Sequence, residues 1–306
     1  MSPPASRYTA DVNLIGINDA HILAIGRVPA NCRVLDLGVA DGSVAAILKQ
    51  MGCRVWGVDI DPEAAEAARG VCEDVVIGDL STMSLAEQFD GQQFDVVLML
   101  DVLEHLGDPV AVLGQVAGVL ADGGWGVVSL PNVAHVSMRL SLLEGRFQYT
   151  DVGLLDRTHL RFFDRAGVDD LLEQAGWAMF DLARVTRPLG TTEITIDDAD
   201  PELVGRLEAD PEGLTYQFVL SVAPLGAPVL AHPPILPAAA AQRVFLEAMT
   251  RIGELEEEVR QLRRVHIPDL WFELAAIRTR GRERQGHLRH LLGLLQSSGV
   301  GDETSG

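Results

Sequence analysis

Hydrophobic positions along this chain fall into short unbroken runs separated by stretches of helical spacing. Residues 33–37, 54–59 and 74–78 are brief apolar runs, and Phe94 to Leu100 is nearly continuous. Runs of that length without polar alternation predict strands covered on both faces, as in a parallel sheet. Between them, residues 43–51, 62–70 and 109–120 carry helical periodicity, and residues 17–28 predict a short amphipathic helix leading in. Helix 109–120 is expected to stop at Asp122-Gly123-Gly124, with strand 125–130 running to Pro131-Asn132. Strand-helix alternation with Gly/Asp turns predicts an α/β fold built on a doubly wound, mostly parallel sheet.

The pattern changes after Asn132. A helical spacing with Val136, Leu140 and Leu143 runs toward Tyr149, then an aromatic, polar loop through Phe163, then helix 165–175 ending at Gly176. Trp177 to Arg184 and Thr215 to Val222 predict two closing strands, seven in all, with an acidic insert from Asp197 to Glu212 between them. Residues 1–222 are therefore expected to be one domain. Residues 223–240 are a Pro/Ala linker without a core of its own. Residues 241–298 follow as a helical extension and 299–306 as a disordered tail. Within the extension Phe245, Ala248, Ile252, Leu255, Val259 and Leu262 recur at alternating spacings of three and four, broken at Pro268. That a/d seam predicts a coiled coil and a homo-oligomer formed through it; the alternative is a helix packed on its own domain.

Composition narrows the setting. The chain has 306 residues and a net charge of −20. Residues 241–306 hold ten arginines and ten acids, so the whole imbalance lies in residues 1–240, with 14 basic and 34 acidic side chains. Such a body repels polyphosphate, which argues against a nucleic-acid partner. The start, Met-Ser-Pro-Pro-Ala-Ser, has no apolar signal core, and no apolar run reaches the roughly 18 residues of a membrane span. A cytoplasmic protein is expected. Cys32, Cys53 and Cys72 lie at or near strand starts; an odd count without C-x-x-C spacing predicts reduced core thiols, neither a disulfide frame nor a zinc site.

The candidate chemistry begins at Val34-Leu-Asp-Leu-Gly-Val-Ala-Asp-Gly-Ser43, followed by Val55-Trp-Gly-Val-Asp59. Strand, glycine-bearing loop, helix, strand and acid open a nucleotide-binding domain. The loop needs glycine where backbone passes close to a ligand, and the acid at the second strand's tip can accept from both ribose hydroxyls. A dinucleotide site wants G-x-G-x-x-G, but Gly38, Ala40 and Gly42 give G-x-A-x-G with Ser43 where a third glycine would stand. Asp36, just before the turn, would repel a pyrophosphate and suits a phosphate-free cationic ligand. A dinucleotide-dependent dehydrogenase is the lesser alternative. D-x-G-x-[GA]-x-G, then Asp59, then Gly78-Asp79, resembles the class I S-adenosylmethionine-dependent methyltransferases. The resemblance implies their sheet with its antiparallel finish, and S-adenosylmethionine as cofactor. Its expected contacts are Asp36, Gly38, Ala40, Gly42, Asp59, Ile60, Asp79, Leu80 and Asp101. Asp79 would accept from the adenine amine, with Leu80 and Met83 wedging the ring.

Methyl transfer from a sulfonium is an in-line displacement, helped by holding nucleophile and methyl in line away from water and by handling the acceptor's proton. Groups for this should lie past the carboxyl ends of strands four and five. Strand four delivers Asp101, Glu104 and His105, strand five delivers His135, and the following loop delivers Asp156-Arg157-Thr158-His159. His105, His135 and His159 are the catalytic candidates. Asp101-x-x-Glu104-His105 resembles the E-x-x-E-H element of the ubiquinone-biosynthesis O-methyltransferases and of the small-RNA 2′-O-methyltransferases. His159, ahead of Leu160-Arg-Phe-Phe163, matches the further histidine of the latter. The resemblance implies a magnesium site at Asp101, Glu104, His105 and His159. Pro131-Asn-Val-Ala-His135 through Phe163 is also similar to bacterial methyltransferases acting on glycans or secondary metabolites.

The expected function is transfer of a methyl group to a hydroxyl of a small molecule, a sugar or secondary metabolite. N- or C-methylation, 2′-O-methylation of RNA ends gripped by Arg278, Arg280, Arg282, Arg284 and Arg289, and a coiled-coil assembly module with a degenerate domain are the alternatives. Individual residues have plainer readings too. Glu104 and His105 could only cap a helix, and His135 could be a core or loop histidine. Arg139, Arg146, Arg157 and Arg161 are either anion ligands or stems covering apolar surface. Trp56 and Trp125 are expected in the core.

Overall fold

The computed structural model describes residues 19–227 other than 197. The helical extension, its seam and the tail lie outside the described residues, as do most of the linker and the start of the lead-in helix.

Helix α1 (Asp19–Ile25) precedes an alternating series: β1 (Arg33–Leu37), α2 (Ser43–Gln50), β2 (Arg54–Asp59), α3 (Pro62–Ala68), β3 (Asp74–Ile77), α4 (Leu85–Gln88) and β4 (Phe94–Leu100). A 3₁₀ turn over Leu103–His105 leads to α5 (Pro109–Val119) and β5 (Leu120–Pro131). Then come α6 (Val136–Leu143), α7 (Arg165–Ala175), β6 (Trp177–Thr186), α8 (Pro201–Glu208) and β7 (Thr215–Pro224). The strands form one sheet in the order β3-β2-β1-β4-β5-β7-β6, parallel except for β7, which inserts antiparallel to both neighbours.

Helix starts are written locally. Asp61-Pro62, Asp108-Pro109 and Asp200-Pro201 each place an acid at the N-cap, accepting a backbone N–H, and a proline in the first turn, where no N–H is needed. Asp164 caps α7 in the same way, and left-handed Gly176 ends it. Two apolar layers cover the sheet. Side chains of α1, α2 and α3 pack on one face, and those of α4, α5 and α7 on the other. Val44, Ala45, Ile47 and Leu48 are the buried stripe of α2; burying each larger member contributes about 1.5–3 kcal/mol.

Three segments differ from expectation. The Asp122-Gly123-Gly124 turn lies inside β5, where the β4 register slips between Phe94 and Val96. A Cβ on Gly124 would meet the Phe94 carbonyl oxygen at 2.9 Å, so only glycine lets the strands close there. The helical spacing after Asn132 yields only α6, which gives way to left-handed Gly145, and Phe147 and Tyr149 stay exposed. The acidic insert contains α8, held by its own cap.

Candidate active site

The carboxyl ends of β1, β2 and β3 carry Asp36, Asp59 and Asp79. Asp36 is 3% exposed. Burial, and then the neighbouring charge of Asp59, push its carboxyl up to about 7. Beyond it the chain turns through three left-handed residues, Gly38, Ala40 and Gly42. A Cβ on Gly38 would stand 2.7 Å from Val102 Cγ2, and one on Gly42 would stand 2.6 Å from Val71 Cγ2. Neither position admits a side chain. Ala40 holds φ 48° without being glycine, at a cost of about 1 kcal/mol.

Asp59 ties this loop down. Its Oδ2 accepts the Ala40 amide at 2.8 Å and its Oδ1 the Asp61 amide at 2.9 Å, while the Gly38 and Val39 amides both donate to the Val58 carbonyl. Each carboxylate oxygen keeps a second lone pair for a ligand. Ile60 follows and is 67% exposed, an apolar side chain with nothing covering it among the described residues. Asp79 Oδ1 accepts the Ser81 amide at 2.8 Å, and Leu80 and Met83 pack partly against the core beside it.

Asp101, past β4, is left-handed at φ 55°. Its Oδ1 accepts from the Ser129 hydroxyl at 2.9 Å and from the Gln217 amide, and its own amide donates to Ser129 Oγ at 3.0 Å. This network spans β4, β5 and β7. Ser129 and Gln217 escaped the sequence reading. Their signal is a lone polar residue within an apolar strand, Val-Val-Ser-Leu in one and Tyr-Gln-Phe-Val in the other.

Glu104, His105 and His159 converge: one ligand atom from each lies within 4.8 Å of the others. Asp101, expected as a fourth member, stands outside this group because its reversed backbone aims the carboxylate at β5 and β7. Glu104 is 1% exposed, and both of its carboxyl oxygens lack a hydrogen-bond partner among the described residues. Burial, then the charge of Asp101, hold its carboxyl well above the usual range. The Glu104 carbonyl accepts the Leu160 and Arg161 amides at 2.8 and 3.0 Å, stapling the later loop to the 3₁₀ turn. His105 Nδ1 lies 3.2 Å from the Thr158 carbonyl and His159 Nδ1 3.3 Å from that of Leu154. A carbonyl takes only a donor, so each contact calls for a proton on Nδ1, and in the neutral ring the lone pair then lies on Nε2. The two rings meet edge to face at 4.8 Å.

His135 is corrected from catalytic candidate to structural residue. It is fully buried and caps α6, with Nδ1 2.8 Å from Ser137 Oγ and Nε2 2.8 Å from the Arg187 carbonyl, so no ring nitrogen is left for a substrate. The four arginines weighed as anion ligands are also engaged. Arg139 pairs with Asp210, Arg146 with Glu144 and Arg157 with Asp151, while Arg161 donates to the Gly107 carbonyl. From His159 an aromatic series leads outward instead: Phe162 at 6.2 Å, Phe147 a further 5.9 Å and Tyr149 5.5 Å beyond, all exposed, with exposed Leu160 and Val152 on the same loop.

A family model described as a methyltransferase domain matches residues 15–182. The ubiquinone biosynthesis O-methyltransferase of Xanthomonas axonopodis pv. citri is 30% identical over 125 residues, which is 39% of this chain and 51% of the relative. That of Psychrobacter arcticus is 30% identical over 162 residues, 50% of this chain and 62% of the relative. The chain thus spans about half the length of the curated relatives it matches. Among solved structures, magnesium protoporphyrin IX methyltransferase from Synechocystis PCC 6803, with bound SAH, aligns with a TM-score of 0.45 at 18% identity, covering 70% of this chain and 89% of the other.

Proposed function

Because this chain belongs to the methyltransferase domain family, of the class I S-adenosylmethionine-dependent kind, we propose that it moves a methyl group from that donor to a hydroxyl oxygen of a small molecule. A sugar or a hydroxylated secondary metabolite is the acceptor class put forward. One observation carries the reading: three carboxylates stand at successive strand tips around a loop whose Gly38 and Gly42 admit no side chain. Asp36 faces the donor's cationic methionine end, where a carboxylate is favourable and a pyrophosphate would be repelled. Asp59 retains lone pairs for the ribose hydroxyls, and Asp79 with Leu80, Met83 and Ile60 takes the adenine. Asp101 closes the methionine end from β4. Gly38 and Ala40 present bare backbone to the same ligand.

The acceptor approaches over the 142–162 loop, whose exposed aromatic residues offer flat apolar surface to a ring. Its hydroxyl gives its proton to Nε2 of His159, the acceptor oxygen bonds to the methyl carbon, and the carbon–sulfur bond breaks with its electron pair going to sulfur. His105 orients His159 through their ring contact. As an alternative to that proton transfer, which needs the same Nε2 lone pair of His159, the three residues Glu104, His105 and His159 fit a divalent cation: a buried carboxyl without a hydrogen-bond partner among the described residues stands beside two imidazoles. When bound there, such an ion would supply Lewis acidity toward the acceptor hydroxyl. One carboxylate with two nitrogens suits a softer divalent ion than magnesium, which prefers oxygen ligands.

The names of the curated relatives favour oxygen over nitrogen or carbon as the methylated atom. RNA ends are the weaker alternative, since the acidic excess lies wholly within residues 1–240. Pairing through the C-terminal seam is proposed from the sequence alone. Incubating the full chain with the donor and a panel of hydroxylated sugars and phenols should give a product heavier by about 14 Da, a methyl replacing a hydrogen, and His159→Ala should slow its formation by about 10²–10⁴. Product formation unaffected by that substitution removes the assigned base. Loss of activity on chelation that is restored by one divalent ion supports the cation; indifference to chelation rejects it.

A further inference from the structure

Two of the three cysteines, separated by 21 positions in sequence, meet at the end of the sheet opposite the candidate active site. Cys32 immediately precedes β1 and Cys53 immediately precedes β2, and the strands pair in parallel from Arg33 against Arg54. The Arg54 amide donates to the Cys32 carbonyl at 2.9 Å, so the ladder extends down to the two cysteines. Their sulfurs lie 3.7 Å apart, and both thiols point at the Pro29 carbonyl, at 3.1 and 3.2 Å. The chain enters each cysteine through a left-handed residue, Asn31 at φ 62° and Gly52 at φ 84°. The backbone is thus set on both sides of the pair. Adjacent parallel strands run about 4.8 Å apart, inside the Cα range a disulfide spans without backbone movement. Cys32 is partly exposed, Cys53 is buried and Cys72 is buried without a sulfur partner among the described residues.

We propose that Cys32 and Cys53 form a reversible dithiol–disulfide site, oxidised by a peroxide, that staples β1 to β2. One sulfur, entered from the Cys32 side, displaces water from the peroxide's O–O bond and becomes a sulfenic acid. The second sulfur displaces the hydroxyl as another water and closes the S–S bond. Two thiol protons and two electrons pass to one peroxide, which leaves as two waters. The contact between the two sulfurs draws the Cys53 thiol below its ordinary value and, with burial, pushes the Cys32 thiol up, so a thiolate formed in the pair is carried by Cys53. Cys72 is pushed up to about 12 by burial, which keeps it inert.

The test is peroxide titration of the reduced full chain followed by thiol counting, intact mass and peptide mapping. The expected result is one thiol remaining after denaturation and a mass lower by about 2 Da. A single linked peptide should join Cys32 to Cys53, and a dithiol reductant should reverse the change. The linked form should melt roughly 5–10 °C higher, since closing this loop constrains the unfolded chain. Cys72→Ser should keep the link and lose the last thiol, and Cys32→Ser should abolish the link. The proposal is overturned if the wild-type chain keeps all its thiols or gains about 16 or 32 Da without a link. A link through Cys72, or a linked form that melts lower, overturns it equally. The wild-type map decides the question without either variant.

Discussion

The carboxylate of Asp59 accepts the amide of Ala40 at 2.8 Å, so the acid at the tip of β2 holds the loop that leaves β1. A ribose bound to the remaining lone pairs would sit on a carboxylate already fixed by backbone. Asp59→Ala should therefore weaken donor binding roughly 30- to 300-fold, the loss of hydrogen bonds to a charged group together with the loop they order. Calorimetric titration of the donor reads this directly, and a change under threefold would contradict it.

Ala40 pays strain that glycine would not. Ala40→Gly removes the penalty of a left-handed alanine, about 1 kcal/mol, against a partly offsetting loss of unfolded-state restriction. The expected outcome is a small gain in melting temperature, about 1–3 °C, measured by calorimetric scanning. Destabilisation by this substitution would show that the loop is not strained at Ala40.

Asp36 makes stability and donor binding depend on pH in opposite directions. Its carboxyl sits at about 7 when folded against 3.8 when free, so between those values the folded chain holds a proton that the unfolded chain has released. The contribution is fully present below pH 4 and is lost as pH rises toward 7, a span of roughly 4 kcal/mol. Asp36→Asn should remove that component, so the difference in unfolding free energy between wild type and variant should move in the variant's favour from pH 4 to 8. Donor affinity should rise over pH 6 to 8 in the wild type, with proton release, and stay flat in Asp36→Asn. A wild-type affinity independent of pH would refute the pairing of Asp36 with the donor's cationic end.

His135 and His159 should separate in kinetics and stability. His135→Ala leaves the part-buried Arg187 carbonyl and the α6 cap without a partner, and should cost about 1–3 kcal/mol by denaturant titration, while the folded fraction keeps its turnover. His159→Ala should lower kcat by about 10²–10⁴ with little change in melting temperature. The reverse assignment of losses would exchange their roles.

Phe147, Tyr149 and Phe162 should govern acceptor recognition. Tyr149→Ala and Phe162→Ala should raise the acceptor KM about 5- to 50-fold while donor affinity stays within twofold. An unchanged KM for both would place the acceptor elsewhere.

Most of the strand and helix order was legible because β4 is an unbroken apolar run and because residues 43–51, 62–70 and 109–120 carry helical spacing. The tight turn after β1 was legible through Gly38 and Gly42, whose absent side chains are a statement about space. Asp101 was not. Its place three residues before Glu104 suggested convergence, but a single left-handed φ turns its carboxylate toward Ser129 and Gln217, and no spacing rule carries that information. His135 failed for a related reason: a histidine just past a strand end reads the same whether it caps a helix or faces a substrate, and only Arg187, 52 residues away, decides. The Cys32–Cys53 contact depends on strand pairing, which a count of cysteines does not contain. Helix α8 lay inside a stretch read as an acidic insert, although Asp200-Pro201 and the half-buried Leu203, Val204 and Leu207 mark it in the sequence.

The most direct measurement is calorimetric titration of the full chain with S-adenosylmethionine, and separately with a nicotinamide dinucleotide. A saturable one-to-one exchange with the sulfonium, lost in Asp59→Ala, and no heat from the dinucleotide is the predicted result. Saturation by the dinucleotide, or no binding of the sulfonium by the wild-type chain, would contradict the account.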